Sequence, residues 1–290
     1  DADGSGEGAA VQFALLPDLI RRAIAEAKVQ LVRLLSLSFD FYEAASMPLL
    51  LADDAGTAFV NPATVCASGS ITGRLNGGAL PAPGSALPAA ATLAATASAC
   101  EVAGTVYTGT ASVSYNLTGQ DPTTGTATGT VTALRLRDGS GDTVTRDITA
   151  NGTGTLTLTG STAGTTVTQG VTLAPGAGTT LRNELSALTA TFAGGNLVVS
   201  SDTSTTTGLT TRSRVTYNDL RFAVAGVNYL ATGFYELSFT AQGGFAGGSG
   251  EAVLSSGGVT VGRIYANASG VFIEVNGISQ PFAAPRVRAR

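Results

Sequence analysis

Apolar residues recur on two different periods along this chain, and the change of period divides it. Between Pro17 and Ser38, Leu19, Ile20, Ala23, Ile24, Ala27, Leu31, Leu34 and Leu35 fall at i, i+3 and i+4, which places them on one side of a helix. Pro17 suits the first helical turn, Asp18 complements the positive end of the helix dipole, and Arg33 complements the negative end. Arg21, Arg22, Glu26, Lys28 and Arg33 interrupt the apolar run, so it is too short for a bilayer span. Such a helix either covers a sheet face or lies on a membrane surface. Beside a long β-region, covering the sheet is the preferred reading.

Beyond Pro48 and the Asp53-Asp54-Ala55-Gly56 turn, the period becomes two and stays so to Phe282. Ala111–Leu117, Thr153–Thr159, Leu188–Phe192, Leu220–Val224 and Tyr235–Phe239 alternate apolar groups with hydroxyls, as half-buried strands do. Turn signals stand at Asp138-Gly139, Asn151-Gly152, Gly194-Gly195-Asn196, Gly257-Gly258, Asn267–Gly270 and Asn276-Gly277. Short turns force antiparallel neighbours. The last four runs, 252–255, 259–264, 271–275 and 278–282, predict a closing β-meander. The fold expected is mainly β: a large antiparallel meander, as a curved sheet, sandwich or barrel-like form, with one N-terminal amphipathic helix. Residues 1–12 are read as an acidic glycine-rich leader, 13–40 as the helix packed on the sheet, and 41–290 as the β-domain. Pro81, Pro83 and Pro88 keep the segment Gly77–Ala91 out of a ladder, and it lies inside the Cys66–Cys100 loop, so an exposed excursion clamped by the disulfide is expected within 66–100.

Composition narrows the chemistry. Of 290 residues 12% are charged and 43% hydrophobic, and the formal net charge is −4. The 16 basic residues include one lysine, Lys28, which leaves 15 arginines. The basic run Arg286-Val287-Arg288-Ala289-Arg290 is too short for a phosphate-binding surface, so no nucleic-acid partner is expected. Histidine is absent, which removes Ser-His-Asp, Cys-His and His-metal sites. There is no G-x-S-x-G, P-loop or dinucleotide fingerprint, and no cofactor or metal is implied. The Asp1-Ala2-Asp3-Gly4 fragment lacks the remaining ligands of a calcium loop and reads as solvated leader. Glu236, Glu251 and Glu274 are the candidates for two-carboxylate glycoside chemistry, but no spacing pairs them. Asn116, Asn151 and Asn267 head N-x-S/T triplets, which chance supplies in a threonine-rich chain. Cys66 and Cys100 are compatible with one disulfide in an oxidising compartment, the alternative being two buried thiols. The start at Asp1 rather than Met is read as that of a mature, exported product.

The stretches Cys66-Ala-Ser-Gly-Ser-Ile-Thr-Gly73 and Cys100-Glu-Val-Ala-Gly-Thr-Val-Tyr-Thr-Gly109, with the ending Gly250-Glu-Ala-Val-Leu254, Gly257–Tyr265 and Phe272–Val275, resemble a loosely defined group of Gly/Thr-rich cell-surface proteins and lipoproteins of Gram-negative bacteria. The resemblance implies export, a β-rich body and attachment at the outer membrane or cell surface, and it carries over no catalytic residue. The chain departs from it in lacking a lipid-bearing first cysteine, so lipidation requires a residue upstream of Asp1.

Two functions are weighed. The first is a structural subunit that assembles with copies of itself into a surface or extracellular filament. Scarce lysine leaves strand edges poorly defended, and the terminal segments Asp1–Phe13 and Phe282–Arg290, with Arg286 in the latter, are candidate donors. The alternative is a monomeric exported binding protein with an apolar cavity between helix and sheet. A cavity needs an incompletely packed helix, whereas a subunit fixes it. An enzyme ranks below both.

Overall fold

The computed structural model of the protein describes residues 37–53, 56–120, 123–140 and 143–281. Helix α1 (Leu37–Ser46) opens it, and a 3-10 turn (Met47–Leu51) follows where Pro48 stops the α-helical ladder. The strands are β1 (Ser70–Leu75), β2 (Gly78–Ala79), β3 (Ala90–Val102), β4 (Thr105–Gln120), β5 (Thr123–Ser140), β6 (Thr143–Ala163), β7 (Thr166–Pro175), β8 (Thr180–Asn183), β9 (Leu188–Ser204), β10 (Thr210–Val224), β11 (Val227–Phe239), β12 (Phe245–Ser249), β13 (Glu251–Ser256), β14 (Val259–Asn267), β15 (Gly270–Val275) and β16 (Ile278–Pro281). Among the described residues every pairing is antiparallel, and the order across the sheet is β2-β1-β3-β4-β5-β6-β7-β9-β10-β11-β13-β14-β15-β16. This is the expected antiparallel meander. β8 follows β7 in the same lane between β6 and β9, so the β6–β7–β9–β8 pairings close into a small ring, and the other strands bond outside it. β12 and β13 likewise share a lane beside β11.

Several expectations are corrected. Asp138-Gly139, Asn151-Gly152 and Gly194-Gly195-Asn196 are not hairpin turns; each lies inside a strand of 17 to 21 residues. The last two belong to a row of irregularities that crosses the sheet, whereas Asp138-Gly139 is a separate bulge against Arg146 and Val144 at the far end of β5. Register shifts fall between Ala97 and Cys100 on β3, Thr108 and Thr110 on β4, Val131 and Leu134 on β5, and Tyr217 and Leu220 on β10. Gly109 takes φ +129° and presses on the Ala133 carbonyl, where a Cβ would not fit. Where a strand gains an odd residue, its buried face changes parity. On β5, Val131 is buried above the row and Leu134 and Leu136 below it; on β10, Val215 and Tyr217 above, Leu220, Phe222 and Val224 below. Bulges of this kind sharpen twist and bend a sheet. The buried residues form one contiguous cluster from Phe41 through Ile71 to Val275.

The 66–100 excursion is also corrected, since β1 and most of β3 are full lanes of the sheet. Alanine is a weak strand former, but Leu93, Ala95 and Ala97 alternate inward and burial outweighs propensity. The proline-bearing segment between β2 and β3, with Pro81, Pro83 and Pro88, does leave the ladder, within the expected Gly77–Ala91. The sequence-predicted helix lies outside the described residues up to residue 36. The described helix, Leu37–Ser46, runs past the expected boundary at 40, with Phe41, Ala44 and Ala45 buried at helical spacing.

The helix sits on a floor made for it. Gly129 of β5 and Gly154 of β6 are directly paired across the two strands. Phe41 lies against Gly154, and a Cβ on Gly129 would stand 2.6 Å from the Cβ of Ala45. Phe41, Ala44 and Ala45 are accordingly fully buried. Gly129→Val is expected to lower the unfolding free energy by about 2–3 kcal/mol through overpacking. Urea titration checks this, and Ala45→Gly in the same chain should recover part of the loss.

Candidate functional site

One face of α1 is charged, and it meets the sheet at a single guanidinium. Asp40 and Glu43 stand one helical turn apart, and Arg146 projects from the inward face of β6, two residues before Ile148. Arg146 Nη1 donates to Asp40 Oδ1 at 2.9 Å and to Glu43 Oε2 at 2.6 Å. Its Nη2 donates to Glu43 Oε1 at 3.0 Å and to Asp138 Oδ1 at 3.0 Å. Nε lies 2.8 Å from Asp138 Oδ2, in ion-pair range but off the axis of a hydrogen bond. Tyr107 of β4 donates its hydroxyl proton to Glu43 Oε1 at 2.9 Å. Three carboxylates therefore share one cation beneath the helix.

Burial decides how that cluster titrates. Asp40 is almost wholly removed from water, which raises its pKa to about 6 against the pull of Arg146, while Glu43 and Asp138 add repulsion. Burial also works against the charge on Arg146, but the hydrogen bonds and charges of Glu43, Asp138 and Asp40 outweigh it and hold the guanidinium protonated. The arrangement fastens the helix to the strands. Among the described residues no group of three or more metal-ligating side chains is placed to hold an ion.

The three glutamates proposed for glycoside chemistry lie on the outer face, each bound to arginine. Arg263 Nη1 donates to Glu251 at 2.6 Å and Nη2 to Glu274 at 2.9 Å, so these two acids, unpaired by spacing, meet across one cation. The hydrogen bond from Arg263 is the main cause holding Glu274 below the usual glutamate range, the opposite of what a general acid requires. Glu236 accepts from Arg212 at 3.5 Å and lies 3.9 Å from Arg214, which stacks over Phe234. Among the described residues, one shallow hollow lies beside Asn76, Thr92, Ser114, Thr126 and Thr128 and another beside Glu251, Arg263 and Glu274.

Cys66 and Cys100 are disulfide-bonded, with Cα atoms 5.1 Å apart. The bond joins the start of the sheet to the end of β3, where Glu101 N donates to Ser68 O and Ala67 N to Glu101 O. The assembly candidates Asp1, Phe13, Phe282, Arg286 and Arg290 lie outside the described residues. No protein-family model, curated protein or solved structure matches the chain.

The Arg146 cluster went unread in the sequence, though a signal for it exists. Asp138 follows Leu134 and Leu136 at period two, and Arg146 precedes Ile148 and Ala150 at the same period. A charge at an inward position of a strand demands a partner. Asp40 and Glu43, at i and i+3 beside Phe41 and Ala44, supply it.

Proposed function

We propose that this chain is an exported structural protein, a subunit that assembles with copies of itself into a surface or extracellular filament through its terminal segments. The observation that carries the reading is the filled contact between helix and sheet. Phe41 and Ala45 rest on the Gly129–Gly154 pair and Arg146 fastens the acidic side, so the described helix, Leu37–Ser46, is fixed on the sheet as a subunit requires. Three further features support it. A disulfide suits an oxidising compartment. The strand carboxylates Glu236, Glu251 and Glu274 are engaged by arginine. Leu185, Val227, Val259 and Ile278 are exposed at one rim of the sheet, beside the hairpin turns of successive lanes, where a neighbouring copy could bury them.

The edges refine the mode of contact. β2 has two residues with Pro81 and Pro83 close behind, and β16 has four and ends at Pro281. Shortness and proline do here what lysine does elsewhere, so simple edge-to-edge pairing is opposed and the terminal segments become the preferred donors. Size exclusion with light scattering, alongside negative-stain microscopy, tests the reading on the full chain. Oligomers or fibres that disappear when residues 282–290 or 1–13 are removed are expected, and a monodisperse monomer at every concentration overturns it.

A further inference from the structure

The outer face of β4, β5 and β6 above the bulge row presents hydroxyls in a regular grid. Thr126 pairs with Thr157, Thr128 with Thr155 and Thr130 with Thr153. On the other side of β5, Ser114 stands opposite Thr128 and Ser112 opposite Thr130. The threonines are exposed, while the residues between them, Gly129, Val131, Gly154 and Leu156 among them, point inward and are buried. Neighbours in the grid are spaced about 4.8 Å across strands and about 6.8 Å along them. From Ser112 to Gln120, from Thr123 to Leu134 and from Thr149 to Leu181 there is no Asp, Glu, Lys or Arg. The aromatic residue within these β4–β6 stretches, Tyr115, is buried.

Each of these properties bears on what the face can bind. A polyanion or polycation needs countercharge, which the face lacks. A sugar platform needs exposed aromatic rings, which it also lacks. What remains is a field of β-branched hydroxyls with restricted χ1 angles, so both the methyl and the hydroxyl of each threonine hold their positions before any ligand arrives. The methyls order the water above them and the hydroxyls donate to and accept from it. Repeats of this size lie near the oxygen repeats on the faces of hexagonal ice, slightly long across strands and slightly short along them. Strand twist of roughly 20–25° per lane confines the match to the central rows, and those rows are braced from behind, since Gly129 and Gly154, the pair under α1, lie between Thr128, Thr130, Thr153 and Thr155.

We propose that the Thr126–Thr157, Thr128–Thr155 and Thr130–Thr153 rows form an ice-binding face. The full chain with its disulfide intact should inhibit ice recrystallisation and partition into a slowly growing polycrystalline ice hemisphere, against a globular protein of similar mass as control. Thr128→Tyr and Thr155→Tyr keep strand propensity and point to solvent, and each should weaken recrystallisation inhibition by about tenfold or more, as disruption at the centre of an interface does. Thr191→Tyr, exposed on β9 outside the grid, should leave it unchanged, and circular dichroism should be the same for all three. Exclusion of the wild-type chain from ice overturns the proposal, as does full activity in the two grid variants. Loss of self-association in those variants without any effect of the wild type on ice overturns it too, and assigns the face to contact between copies.

Discussion

Replacing Arg146 with methionine is expected to destabilise the protein by about 3–4 kcal/mol, the lower part of the range for breaking a buried ion pair, because Glu43 and Asp138 keep some contact with water. The loss comes less from the missing attraction than from Asp40, left buried without its cation. The pH dependence separates the two. In the native protein Asp40 titrates near pH 6, against 3.8 for an ordinary aspartate, so the folded state holds a proton that the unfolded chain has released. Its contribution to stability is complete below about pH 4 and is lost as the pH rises through about 6. Without Arg146 nothing opposes the effect of burial, and the Asp40 pKa moves higher still. The deficit of Arg146→Met should therefore be largest at pH 8 and smaller at pH 5, and Asp40→Asn in the same chain should remove most of that difference. Denaturant titrations of the three proteins at both pH values make the comparison. A deficit that does not vary with pH would mean that Asp40 is not the group left stranded.

Removal of the Cys66–Cys100 bond, as the double change Cys66→Ala and Cys100→Ala, should cost about 3–4 kcal/mol for a separation of 34 residues. In a chain of this size that lowers the melting temperature by about 10 °C. The folded state should change little. Cys100 is buried beside β4, and the hydrogen bonds from Glu101 N to Ser68 O and from Ala67 N to Glu101 O hold the same junction without the sulfurs. The unfolded chain is what gains freedom. Scanning calorimetry of the double variant, and of the native chain under reductant, should give matching shifts. Equal melting temperatures with and without the bond would show that the unfolded ensemble already keeps the two segments together.

Alternation and turn chemistry made the class of fold legible. The C-terminal lanes β13 to β16 fall within a few residues of the runs read from the sequence, because Gly257-Gly258, Asn267–Gly270 and Asn276-Gly277 are real turns between short strands. Asn151-Gly152 carries a similar signature and sits mid-strand. Asn151 spends its side chain on the neighbouring strand, accepting from Ala133 N at 2.6 Å, and Gly152 gives way to Thr179. A bulge and a hairpin ask the same of glycine, and only the partner strand distinguishes them. The helix contact was hidden for a different reason. Gly129 and Gly154 are 25 residues apart and mean nothing singly; paired across two strands, they form the floor for Phe41 and Ala45. The glutamates on the outer face were visible as residues, but their arginine partners depended on registers that no local pattern encodes.

The bulge row also shows how strands of this length keep one buried side. A strand counts its faces in twos, so a single added residue would turn everything beyond it inside out, unless the addition is absorbed where it occurs. β5 and β10 each carry such an odd residue at the row and still bury Leu134 and Leu136, or Phe222 and Val224, on the correct side. The row is thus a line along which β3, β5, β9 and β10 each shift frame by one while β4, β6 and β11 keep theirs. Each side of that line keeps its own grammar of inward and outward positions, and the chain reads as a single sheet because the mismatches are stacked in one place.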